Sequence, residues 1–278
     1  MPAPCDRFEA LAASLVEDPA GPVDLAEAAL LVAADFRPGL DPDVWRARLD
    51  DLAEAARDPV LSAWSDAARV SALNHFLFEQ EGFEGNEDEY EDPRNSLLNE
   101  VLERRTGIPI TLCLIYLEVG RRLGLPVEGI GFPGHFLVRW RGKEDFVIDV
   151  FHGEILGDEA LTSLLRAAVG RDAVFSRAEL RPITPHAFLV RLLSNLKRHF
   201  ALAGEFASAL QCCERLLQLS PDDPEELRDR GLVYEQLECW SAARADLARF
   251  LELAPGHPSA AEVRTRLADV AKRTVVLN

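Results

Sequence analysis

Apolar residues recur at helical spacing through the first eighty positions, broken by prolines, and predict helices at roughly 5–17, 23–35, 42–57 and 62–80. Asp41 and Pro42 ahead of Val44, Leu49, Leu52 and Ala56 read as a cap, a first-turn proline and an apolar stripe. The pattern then stops. EQEGFEGNEDEYEDP, residues 79–93, holds eight acids and two glycines, too polar to bury and without the alternating ligand spacing of a calcium loop. A solvated loop is predicted, with a cation site or a basic partner as the sharper reading. NSLLNEVLERR predicts a short helix from about Ser96, capped by Asn95, buried through Leu97, Leu98, Val101 and Leu102, and stopped at Gly107.

Residues 109–123 are apolar almost all round until Glu118, the mark of a helix enclosed by protein, and Gly124 and Pro126 end it. Period-two alternation follows in HFLVRW and FVIDVF on either side of RGKED. It predicts a β-hairpin of strands at about 134–140 and 145–151, with a third strand over 127–132. Helices followed by a small antiparallel sheet make this part α+β.

The last ninety residues match themselves at an offset of 34: Leu193 with Leu227, Phe200 with Tyr234, Ala209 with Ala243, Pro221 with Pro255. This pattern resembles the tetratricopeptide repeat, in which a small alanine lets two helices approach and a proline ends the second. The copies run at about 190–223 and 224–257, with a capping helix at 259–273. Gly231 holds the small position in the second copy where the first has Lys197. The expected division is therefore 1–185 for the helical N-terminal region and the α+β core, and 186–278 for an all-α repeat region.

Charge narrows the function. With 30 basic and 47 acidic residues the net charge is −17 and the isoelectric point near 4.8, which repels nucleic-acid backbones and anionic lipid heads. The sequence begins without a signal-peptide pattern and has no apolar run long enough to span a bilayer, so a cytoplasmic location is expected. Five cysteines, at 5, 113, 212, 213 and 239, form no CxxC pair and no zinc-like spacing with histidine, so reduced thiols and no cofactor are expected.

Candidate chemistry lies in the hairpin. If its pairing indices sum to 284, His135 stands opposite Asp149 on the same face, and a carboxylate beside an imidazole is what a cysteine enzyme uses to orient its base. A slip of one residue would send Asp149 to the other face. A metal site of His135, Asp149 and His152 is a weaker possibility, since the odd offset of His152 from Asp149 puts the two on opposite faces of a continuing strand.

NEDEYEDPRNSLLNEVLERRTGIPITL, RRLGLP, GFPGHFLVRW and FVIDVF together resemble the SirB family of bacterial proteins, which join a transglutaminase-like domain to tetratricopeptide repeats. The resemblance covers roughly residues 40–275. It implies a papain-like core in which His135 and Asp149 match the superfamily's histidine and aspartate. The superfamily's nucleophilic cysteine maps onto Pro109, fifteen residues before Gly124, where this chain has no thiol. Cys113 lies one helical turn beyond, among Leu112, Leu114 and Ile115, an apolar setting that favours an inert thiol. Thr111 offers only a hydroxyl, which needs a better-placed base. Asn95, Arg104, Arg105 and Tyr116 also match the family's pattern, as architecture or as a binding surface. The expected function is a non-catalytic transglutaminase-like protein that binds a protein or peptide partner through the repeats or the core groove. The rival is an amidase or acyltransferase that uses Cys113 or Thr111.

Overall fold

Prolines and capping side chains set the early helix starts. Helices α1 (Pro4–Glu17) and α3 (Pro42–Leu61) have proline in the first turn, where its missing N–H costs nothing. Before α2 (Leu25–Phe36) and α4 (Asp66–Asn74), the side chains of Asp24 and Ser65 accept from the amides of Glu27 and Ala68. The single helix predicted over 62–80 is two pieces, because Ser65 caps α4 and the chain widens at its end into a π-helical turn, His75–Gln80.

The computed structural model describes residues 3–276 of the chain. It divides into two compact units, residues 22–188 and residues 1–21 together with 189–278.

In the unit of residues 22–188, the acidic segment is ordered rather than merely solvated. Strand β1 (Glu84–Gly85) pairs in parallel with β2 (Thr106–Gly107), on either side of a 3₁₀ turn (Pro93–Ser96) and helix α5 (Leu98–Arg104). Asn95 does not cap α5; it lies inside the 3₁₀ turn, which Asp92 caps, and α5 begins after Leu97. Arg105 ends α5 in the left-handed region, φ 63°. Helix α6 (Pro109–Arg122) follows at once, and ten of its residues are buried, including Glu118, which Arg121 and Arg122 hold by ion pairs.

Strands β3 (Val127–Ile130), β4 (Leu137–Arg141), β5 (Asp145–Asp149) and β6 (Glu154–Leu156) form an antiparallel sheet in that order. One face packs with helix α7 (Asp158–Val169) through Leu137, Val147, Leu156, Leu161 and Leu165. The β3 strand lies close to α6 because Gly120 has no side chain: a Cβ there would stand 2.6 Å from Val127 Cγ2. The β4–β5 turn is tied to α4, since Asp66 accepts from the amides of Lys143 (2.6 Å) and Glu144 (3.1 Å), and Glu144 accepts from that of Ala67 (3.2 Å).

Helix α8 (Pro185–Leu202) runs from this unit into the other, which continues as α9 (Phe206–Leu219), α10 (Pro224–Gln236), α11 (Trp240–Leu253) and α12 (Ala260–Val276). The matched small residues pack as their type requires: Ala209 and Ala243 are wholly buried, and a Cβ on Gly231 would lie 2.8 Å from Leu247 Cδ2. Lys197 reaches Glu226 (2.6 Å) and Asp229 (2.8 Å) on α10. The first helix, expected with the core, belongs instead to this unit: the guanidinium of Arg215 on α9 stands over the ring of Phe8 on α1 at 4.7 Å. Among the described residues no helix is long and apolar enough to cross a membrane.

Candidate functional site

The resemblance expects a nucleophile at the start of α6, and there the Thr111 hydroxyl and the Ile108 amide are already committed. Ile108 is the N-cap and Pro109 opens the helix. The Thr111 hydroxyl, fully buried, lies 2.7 Å from the Asn95 carbonyl and 3.0 Å from that of Ile108, and accepts from the Ile108 amide at 3.3 Å. No exposed hydroxyl remains at the helix start. One turn further, Cys113 is 0% exposed and its thiol donates to the Phe136 carbonyl at 3.4 Å. That carbonyl belongs to the residue after His135, so Cys113 approaches the histidine segment from inside the core.

His135 does not open the strand as expected. It ends a turn in which its amide donates to the Phe132 carbonyl (3.0 Å), with Pro133 followed by Gly134 at φ 70°, the signature of a type II turn. The strand begins at Leu137. The hairpin pairs Arg141 with Asp145 and Val138 with Ile148, so its indices sum to 286 rather than 284. This shift of two keeps every side chain on its face but removes the direct opposition of His135 and Asp149. The physical cause is the three-residue turn that Asp66 grips at its tip.

Asp149 pairs instead with the turn that follows it. Oδ1 accepts from the amides of Phe151 (3.0 Å) and His152 (3.4 Å), and Oδ2 lies 2.9 Å from His152 Nδ1. The carboxylate is nearly buried and the imidazole half exposed, at 7% and 47% of side-chain area. The hydrogen bond from Asp149 raises the His152 pKa, with Glu87 and Glu154 adding to the effect. The expectation that His152 faces away fails because the chain turns after Asp149, and alternation no longer applies beyond a strand's end. Asp149 followed three residues later by histidine at a strand end was the available signal. No group of three or more His, Cys, Asp or Glu among the described residues is placed to hold a metal ion.

Of the remaining candidates, Asn95 and Tyr116 are 0% exposed and form no surface. The Asn95 amide donates to the carbonyls of Glu89 (2.7 Å) and Tyr90 (3.4 Å), while its Oδ1 accepts from Asn86 (3.1 Å) and Arg104 (3.5 Å). This is how the acidic segment is held. Tyr116 donates to Asn74 Oδ1 at 3.0 Å, and burial pushes its phenol pKa up. Arg104 also stands 3.7 Å from Asp92, and Arg105 pairs with Glu81 at 2.8 Å. Tyr90 and Phe151 meet edge to face, and a Cβ on Gly85 would stand 2.5 Å from the Phe151 ring, so the segment closes over the Asp149–His152 turn.

Residues 43–194 match the transglutaminase-like superfamily and residues 196–268 the tetratricopeptide repeat. A "UPF0162 protein" of Xylella fastidiosa is 41% identical over 258 residues, 90% of this chain and 91% of its own. "Protein SirB1" of Salmonella typhimurium is 29% identical over 232 residues, 83% of this chain and 86% of its own. The "UPF0162 protein YchA" of Escherichia coli is 28% identical over the same length. With these relatives matching along most of its length, and residues 43–194 matching the superfamily, the chain belongs to the SirB family of the transglutaminase-like superfamily.

Proposed function

We propose that the protein is a non-catalytic member of its superfamily, a scaffold that binds a protein partner. The observation that carries this reading is Cys113: the one thiol on the central helix is fully enclosed and spends its hydrogen on a backbone carbonyl. In support, the position to which the resemblance assigns the nucleophile is Pro109, at the opening of the helix, and Asp149 bonds His152. In support of a partner-binding role, the repeat unit has an open groove of about 650 Å³ with an apolar floor from Ala201, Phe206, Leu232 and Val233, flanked by Lys197 and Arg266.

Native thiol labelling tests the reading, with internal controls. Cys5 and Cys239 are exposed and should alkylate in the folded protein. Cys113, like Cys212 and Cys213, should alkylate only after denaturation; burial pushes the Cys213 thiol up to about 12. Alkylation of native Cys113 as fast as Cys5, lost on His135→Ala, would overturn the proposal in favour of an acyl-transfer enzyme.

A further inference from the structure

Helix α3 and the end of α5 enclose a groove of about 340 Å³ lined by Arg48, Asp51, Leu52, Ala55, Glu81 and Arg105. Its α3 wall is the stripe 48, 51, 52 and 55, one face of a helix. Two arginines present themselves here in fixed orientations. The Arg48 guanidinium stands 4.6 Å from the centroid of the Trp45 ring, and that of Arg105 stands 4.6 Å from the Phe83 ring. Stacking on a ring immobilises a guanidinium while leaving its N–H edge open to a carboxylate.

The charges are used unequally. Arg105 is already committed: it pairs with Glu81 at 2.8 Å and donates to the Leu102 carbonyl at 2.5 Å, so the open edge is that of Arg48. Arg48 and Asp51 make no ion pair or hydrogen bond among the described residues, although they lie three residues apart on one helix face in a chain with 47 acids. The groove thus holds one open donor fork and one open acceptor beside a pair already made. Arg105 carries a second mark. Among the described residues it is one of two non-glycine residues at positive φ, 63°, at a helix end where glycine would adopt the same conformation without strain. Its side chain has a visible use, tying the helix end at Leu102 to Glu81 and so fixing this wall of the groove.

We infer that this groove binds a small zwitterion carrying both a carboxylate and an ammonium group, a free amino acid or a short peptide. The carboxylate meets the Arg48 fork and the ammonium meets Asp51, with the Arg105–Glu81 pair as the facing wall. Leu52 and Ala55 receive its aliphatic part. A bare anion fits less well, since the lining is balanced at two cations and two anions and the chain as a whole carries −17. A zwitterion brings no net charge into that field while satisfying both open groups.

The test is ligand-observed NMR on the full chain with the twenty free amino acids and with dialanine. Binding by any of them is expected. It should weaken by about tenfold or more in Arg48→Ala and in Asp51→Asn, both surface substitutions that leave the fold intact. Arg105→Gly suits the backbone at that position, should fold, and should also weaken binding. The best ligand's deaminated acid, with its carboxylate but no ammonium, should bind far more weakly. Stronger binding by dialanine than by any amino acid would identify a peptide terminus as the source of the zwitterion. Three results overturn the inference: no binding by any probe, equal binding in the variants, or equal binding by the deaminated acid, which would make the groove a plain anion site.

Discussion

Thr111 spends a single hydroxyl on the carbonyls of Asn95 and Ile108 and the amide of Ile108, in a fully buried position. Thr111→Val keeps the shape and strips the hydrogen bonds, so urea denaturation should show a loss of about 1–3 kcal/mol. His152 gives a different signature. Its folded pKa is raised above the ordinary 6.5 by Asp149, so its stabilisation is complete below about 6.5 and is lost as pH rises through the raised value. Solvent screening at this half-exposed ring keeps the effect within about 1 kcal/mol. Melting temperatures of wild type and His152→Gln should therefore differ most at acidic pH and converge above neutrality. The sequence showed an aspartate and two histidines; their pairing was not legible, because it depends on where the strand stops.

At the scale of elements, the close approach of α6 and β3 rests on Gly120. Alanine there gains helix propensity of about 1 kcal/mol, but its Cβ meets Val127 Cγ2 at 2.6 Å. Overpacking costs about 1–3 kcal/mol, so Gly120→Ala should lower the urea midpoint rather than raise it. The central helix and the hairpin were readable from the sequence, since α6 is apolar almost all round until Glu118 and two apolar runs flank the polar turn RGKED, although the burial in β4 and β5 does not itself alternate. The acidic segment was not, because what orders it is one buried amide, Asn95, accepting and donating across non-local contacts that no period reveals. Asn95→Ala should accordingly raise proteolytic cleavage within residues 81–92 while leaving the repeat helices protected, as mass spectrometry of limited digests would show.

Over the whole molecule, most of the excess acid belongs to residues 22–188, while the repeat unit is close to balanced. The repeat was legible as an offset of 34, yet the packing of α1 against α9 was not, since nothing in the first twenty residues advertises a partner two hundred positions away. Lys197, an odd residue at a small position, finds its reason only in the ion pairs it makes with α10. Lys197→Ala leaves Glu226 partly buried without its cation, and a destabilisation of about 3 kcal/mol is expected. Lys197→Met combined with Glu226→Gln should recover much of it, which a double-mutant cycle would measure.

The proline at the head of α6 bears on how such a core could be re-engineered or could change in evolution. Replacing it with cysteine would return a thiol to the helix start in a single step, and that thiol should be readily alkylated. Asp149, the carboxylate that the resemblance assigns to the acid–base line, already bonds the His152 ring beyond the strand's end and would have to be shared or re-aimed to serve that thiol. On the proposed non-catalytic reading, amide or ester turnover would need both the thiol restored and Asp149 re-aimed, two changes forty residues apart, the first of which alone offers nothing to select.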